Sequence, residues 1–136
     1  MTWLFSDRGG PPDPAGPAQE GRVTIEVEAG PGTTTIVVKG ELDLVTMPFL
    51  AARLALAARD RPGRLVFDLG GTHFLDCGSA RLIADAGSWL PGGGRPVIRH
   101  SRPGVRRVFE LTGLDACCEI VSAEVVRNAI QADGEN

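Results

Sequence analysis

The sequence contains no tyrosine and few other aromatic residues, with two tryptophans and five phenylalanines among 136 residues. Lys39 is the single lysine; the other basic residues are arginines spread along the chain, and the net charge is only −3. Proteins that bind nucleic acid usually concentrate basic residues on one face, often with aromatic residues beside them. Because the chain lacks both features, we predict that it does not bind nucleic acid.

Cysteine is also scarce, and long apolar runs are absent. The three cysteines, Cys77, Cys117 and Cys118, are an odd number and two of them are adjacent, unlike the even, spaced set of a secreted disulfide framework. No apolar run approaches the roughly 20 residues of a membrane-spanning helix, and the N-terminus does not resemble a signal peptide. We therefore expect a cytoplasmic protein with reduced thiols that does not insert into a membrane.

The residues that usually carry metal or catalytic chemistry do not form a familiar pattern. His73 and His100, taken with Cys117 and Cys118, do not have the spacing of a metal site. A nucleophilic enzyme built on Cys77 would also need a base and an oxyanion site, which no motif here supplies. The sequence therefore predicts no metal, no cofactor and no enzymatic activity.

The two ends of the chain differ from its middle. Glycine and proline crowd the stretch between Ser6 and Gly21, without an apolar period, so residues 1–21 cannot bury enough surface to offset the cost of ordering. We predict a disordered tail over 1–21, one folded domain over 22–131 and a disordered C-terminus over 132–136.

The hydropathy pattern of the middle alternates between the two-residue period of strands and the wider period of helices. Alternating strands and helices predict an α/β layer on a largely parallel sheet, with a hairpin at its start. Thr46 is expected to cap the first helix, and Pro48 to lie in its first turn. The predicted order is strand 23–28, turn 29–33, strand 35–38, helix from Thr46 to about 59, strand 64–67, loop, helix 79–90, strand 96–99, helix ending at Gly113, strand 119–121 and helix 123–131.

Residues 67–81 are the most informative stretch. After the apolar strand and a short loop, Phe74-Leu75 leads into Asp76-Cys77-Gly78-Ser79 at a predicted helix N-terminus. Such a corner has unpaired backbone N–H groups and the positive end of a helix dipole, both of which favour an anion. It would suit a phosphorylated side chain, a thiolate or a carboxylate of a partner protein.

Five segments match a known pattern: Gly40-Glu41-Leu42-Asp43, Thr46, Leu65-Val66-Phe67-Asp68-Leu69, Phe74-Leu75-Asp76 and Phe109-Glu110-Leu111-Thr112-Gly113-Leu114. Together they resemble STAS domains, the fold of bacterial anti-sigma factor antagonists, over about 23–125. The resemblance implies a mixed, largely parallel sheet with helices mainly on one face, and no catalytic activity. It also implies that the protein binds an anti-sigma factor with serine kinase activity and thereby frees a sigma factor. Phosphorylation of a serine immediately after the residue matched by Asp76 would break this complex.

This sequence departs from the family pattern at the phosphorylation motif. Asp76-Cys77-Gly78-Ser79 replaces the usual Asp-Ser-Ser-Gly, so Cys77 occupies the phosphoacceptor position and glycine comes one place earlier. A thiol is not the normal substrate of a serine kinase. We therefore predict that Cys77 is not phosphorylated, with Ser79 as an alternative, shifted acceptor.

The resemblance further implies which residues contact the partner: Asp43, Thr46, Asp76, Cys77, Gly78 and Ser79. Two of these have open alternatives. Asp43 could instead accept local backbone N–H bonds in a turn, and Cys77 could be a small turn residue or a reactive, redox-sensing thiol. The alternative function is a STAS regulatory subunit of a membrane transport complex, such as a lipid transporter.

Overall fold

The computed structural model describes residues 22–121, in which five strands and three α-helices form one α/β layer. The predicted tail 1–21, the predicted helix 123–131 and the C-terminus 132–136 lie outside the described residues. Short 3-10 turns occupy 86–89, 91–93 and 114–117. The elements are β1 (Val23–Gly30), β2 (Thr33–Leu42), α1 (Met47–Arg59), β3 (Arg64–Leu75), α2 (Cys77–Asp85), β4 (Val97–Arg99), α3 (Pro103–Thr112) and β5 (Glu119–Val121).

The sheet is mixed but largely parallel, as predicted. Its strand order is β1-β2-β3-β4-β5; β1 and β2 form the antiparallel hairpin, and every other neighbouring pair is parallel. Parallel neighbours need crossover connections, and the three helices supply them. The fold class expected from the alternation and from the resemblance is confirmed.

One hydrophobic core joins the sheet to the helices. Leu65, Phe67 and Leu69 alternate along β3 into this core, where Phe67 is completely buried. Phe109 of α3 and Leu54 of α1 are completely buried in the same cluster. This packing fixes the helices against the strands, and so fixes where the ends of the strands lie.

The prediction that β3 stops at residue 67 and gives way to a loop is wrong. The strand continues to Leu75, twelve residues in all, because β2 also runs on to Leu42 and offers a pairing edge. The pairing slips near Gly70-Gly71, where Asp68 Oδ1 accepts the Gly70 N–H at 3.0 Å. The glycine pair, which by itself favours a turn, therefore forms an irregular position within the strand.

The predicted bounds of the second helix, 79–90, are also wrong. Helix α2 begins at Cys77 and ends at Asp85, followed by a 3-10 turn over Ala86–Trp89. It begins early because Asp76 has extended backbone geometry and accepts the N–H of Ser79 as an N-cap. It ends near Gly87, a poor helix former. Cys77 is therefore the first helical residue.

Candidate partner-binding site

The C-terminal ends of β2 and β3 bring two segments of the predicted site together. The register pairs Glu41 with Phe74 and Leu42 with Leu75, and the Asp76 N–H donates to the carbonyl oxygen of Leu42 at 3.0 Å. The loop between β2 and α1 therefore lies beside the N-terminus of α2. Residues far apart in the sequence form one corner of the molecule.

Asp76 caps α2 with its own carboxylate. Its Oδ1 accepts the Ser79 N–H at 2.8 Å, and its carbonyl oxygen accepts the Ala80 N–H at 3.0 Å. This places a negative charge at the positive end of the helix dipole. A second negative charge added at this corner would lie close to the Asp76 carboxylate.

Cys77 and Gly78 form the outward surface of this corner. The Cys77 side chain is exposed. A Cβ on Gly78 would come no closer than 3.8 Å to the Asp76 carboxylate and 4.0 Å to the Met47 sulfur, so there is room for a side chain. A partner protein can reach both positions.

Ser79 is placed differently. It is completely buried, and its hydroxyl has no hydrogen-bond partner within residues 22–121. A kinase cannot reach this hydroxyl in the conformation observed. The burial of Ser79 argues against its use as a shifted acceptor and leaves the exposed position to Cys77.

Asp43 organises the loop between β2 and α1. Its Oδ1 accepts the N–H groups of Val45 and Thr46, each at 3.0 Å, and its Oδ2 accepts from the Arg22 guanidinium. These bonds, led by the one from the Thr46 backbone, lower the pKa of Asp43 below its ordinary value. The Asp43 side chain thus accepts local backbone N–H bonds, the turn-forming role that its sequence context left open.

Thr46 stands at the N-cap position of α1, but its side chain does not cap the helix, contrary to the prediction. Its backbone is close to helical (φ −94°, ψ −16°), not extended as capping geometry requires. The hydroxyl instead donates to the Glu41 carbonyl oxygen at 2.7 Å and accepts the Asp43 N–H at 3.0 Å. Because Thr46 is completely buried, it holds the loop in shape from within.

We expect acid to weaken the fold through Asp43. Because its folded-state pKa is lowered, the stabilisation is present above the unfolded pKa of about 3.9 and is lost as the pH falls through the folded value. In urea unfolding from pH 7 to pH 3, Asp43→Asn should lose less stability on acidification than the wild type. Glu28→Gln, a change at an exposed position on β1, should lose as much free energy of unfolding on acidification as the wild type. If wild type and Asp43→Asn lost the same free energy of unfolding between pH 7 and pH 3, the prediction would be contradicted.

Three exposed apolar residues at this corner were not predicted from the sequence as part of the site. Leu44, Val45 and Phe74 are 77%, 58% and 50% exposed, respectively. Leu44 and Val45 lie in the Asp43 loop, and Phe74 lies two residues before Asp76. An apolar pair between Asp43 and Thr46, in a segment predicted to connect two elements, was the available signal.

The remaining histidine, cysteine and acidic residues form no metal site in the part of the chain that is described. Residues 22–121 hold no group of three histidine, cysteine or acidic residues able to bind a metal ion. No helix in that range is long and apolar enough to cross a membrane. The pKa of Cys118 is raised to about 12, mainly by burial and secondly by the neighbouring Cys117 thiol, so Cys118 stays protonated.

Comparison with known proteins gives one family and one set of similar structures. The family model described as the STAS domain matches residues 24–126. A crystal structure of an anti-sigma factor antagonist from Mycobacterium paratuberculosis is 28% identical, with a TM-score of 0.68, covering 80% of this chain and 94% of that one. No significant match is found among curated protein sequences.

Two structures of SpoIIAA share the fold at lower identity. Unphosphorylated SpoIIAA, described as an anti-sigma factor antagonist, is 20% identical, with a TM-score of 0.62, covering 80% of this chain and 97% of that one. The phosphorylated form, from Bacillus, is 20% identical, with a TM-score of 0.57, covering 79% and 99%. Because the family model spans nearly all of the described residues, the chain belongs to the STAS domain family.

Proposed function

We propose that this protein is an anti-sigma factor antagonist that binds an anti-sigma factor with serine kinase activity and thereby frees a sigma factor. The observation that carries the proposal is the exposed corner at Cys77 and Gly78, at the N-terminus of α2. This is the position that the family pattern uses for phosphorylation and partner contact. The likeness to the mycobacterial antagonist supports the same role.

The contact surface in this proposal is smaller than the set of six residues that the sequence suggested. Cys77 and Gly78 face outward and would touch the partner, while Asp43 and Asp76 hold the corner in shape through hydrogen bonds to backbone N–H groups. Thr46 and Ser79 are completely buried and would act by packing beneath the surface. Such a rigid corner loses little conformational freedom on binding.

Cys77 determines how the proposed complex is regulated. A phosphate at this position would add about −2 charges beside the Asp76 carboxylate, with repulsion and desolvation costs inside an interface. A thiol in place of the serine hydroxyl removes the acceptor. We therefore propose that this antagonist acts by binding, without catalysis, in the cytoplasm, and that its complex is not broken by phosphorylation at position 77.

The first test is affinity capture of the tagged protein from a lysate of its own host, followed by mass spectrometry. We expect an ATP-binding anti-sigma factor to be recovered, and the purified pair to bind in calorimetry. Recovery of membrane-transporter subunits with no anti-sigma factor would overturn the proposal and favour a transport-regulating role.

A matched pair of variants tests whether the α2 corner is the contact. Gly78 and Gly104 are each the second residue of a helix, and neither has a neighbour within 3.7 Å of an added Cβ. We expect Gly78→Gln to weaken binding to the anti-sigma factor by about tenfold or more, because it places bulk in the interface. Gly104→Gln should bind like the wild type; equal affinities for all three proteins would place the contact elsewhere.

A further inference from the structure

Apolar surface is concentrated at the corner that carries Cys77. Six large hydrophobic side chains are exposed among the described residues, and three of them are Leu44, Val45 and Phe74. Single exposed apolar residues are ordinary on protein surfaces. Three beside one corner, which we call the apolar rim, are a feature to explain, since clustered apolar surface marks interaction sites.

The loop that carries Leu44 and Val45 is held rigidly. The Asp43 carboxylate accepts the N–H groups of Val45 and Thr46, and the Met47 N–H donates to the Asp43 carbonyl oxygen at 2.8 Å. The buried Thr46 hydroxyl ties the same loop to the carbonyl oxygen of Glu41. The fold thus fixes two apolar side chains in water, although their exposure contributes nothing to its stability. Burying this apolar surface against a partner costs little conformational entropy, because the loop is already ordered.

Several charged groups beside the apolar rim are already engaged within the chain. Arg22 contacts both Asp43 and Glu41, and the Asp76 carboxylate is bonded to the N–H of Ser79. These contacts partly satisfy the charges of Arg22, Asp43 and Asp76. Leu44 and Phe74 add exposed apolar surface at this place, which is complementary to an apolar surface and not to a strongly charged one.

From this geometry we infer that Leu44, Val45 and Phe74 form the hydrophobic centre of the contact with the anti-sigma factor, and that the partner presents apolar side chains to them. The inference rests on the proposed function and adds the chemistry of the contact. The apolar rim lies beside the α2 corner, because the Asp76 N–H donates to the Leu42 carbonyl oxygen and so joins the two segments. The affinity of the complex is then set by apolar burial, and salt changes it little.

The test is a titration of the anti-sigma factor recovered by affinity capture against Leu44→Ser, Phe74→Ser and Leu111→Ser. Leu111 is 75% exposed on α3 and serves as the matched control. We expect each rim variant to lose about tenfold or more in affinity, since central apolar contacts dominate interface energies, and Leu111→Ser to keep the wild-type value. Thermal melts check that all three variants fold, which their exposure favours.

The outcomes separate this inference from the proposed function. If wild-type protein binds the anti-sigma factor and both rim variants bind equally well, the inference is overturned and the function stands. The inference is also overturned if affinity falls steeply with added salt, or if the rim variants lose only self-association of this chain. If wild-type protein binds no anti-sigma factor, the proposed function itself fails.

Discussion

Gly40→Ala is expected to destabilise the protein by about 3 kcal/mol or more, or to prevent folding. Gly40 has φ +110°, a conformation that residues with a side chain rarely adopt. A Cβ there would lie 2.0 Å from the carbonyl oxygen of Arg22 and 2.9 Å from its carbonyl carbon. Backbone cannot move aside as a flexible side chain can, because the Glu41 N–H bonds the same Arg22 oxygen at 2.8 Å.

The damage should extend to the partner-binding corner. Displacing Arg22 would remove the guanidinium that pairs with the Asp43 carboxylate, and with it part of the support for the loop. Urea unfolding measures the loss of stability. Gly104→Ala is the control: nothing lies within 4 Å of its added Cβ and it is in a helix, so we expect a neutral effect or a gain of up to about 1 kcal/mol. A Gly40→Ala protein as stable as the wild type would contradict the close backbone contact described here.

Cys77→Ser is expected to create a phosphorylation switch that the wild type lacks. The side chain at position 77 is exposed at the first residue of α2, so a kinase could reach a serine hydroxyl placed there. Incubated with the anti-sigma kinase and ATP, the variant should take up phosphate at residue 77 and the wild type should take up none. Once phosphorylated, it should bind about 100-fold more weakly, because a dianion beside Asp76 would be buried without a partner.

Intact-mass and peptide mass spectrometry check the site, and calorimetry checks the affinity. Cys77→Ala keeps a small side chain without a hydroxyl, so it should remain unmodified and should bind like the wild type. Phosphate on residues 76–79 of the wild-type protein would contradict the prediction. If the phosphate were on the buried Ser79, α2 would have to open to let the kinase reach this residue.

The alternation of strands and helices was predictable because side-chain periodicity is a local property of the chain. Val23 and Ile25 alternate with polar residues, and Gly113 stops α3 in the left-handed conformation that glycine favours (φ +79°). The course of β3 beyond Asp68 was not predictable in the same way. Gly70-Gly71 favours a turn when read alone, and only the extended edge of β2 makes it part of a strand.

The sequence by itself determined the chemistry of the corner: a thiol at position 77, a carboxylate at 76 and glycine at 78. Tertiary structure alone decided which side chains at this corner are exposed to solvent. Thr46 and Ser79 are completely buried while Leu44 is 77% exposed, the reverse of what their polarity favours. The reason is physical: polarity belongs to each side chain, but exposure depends on which distant segments pack around it, here the ends of β2 and β3 against α1 and α2.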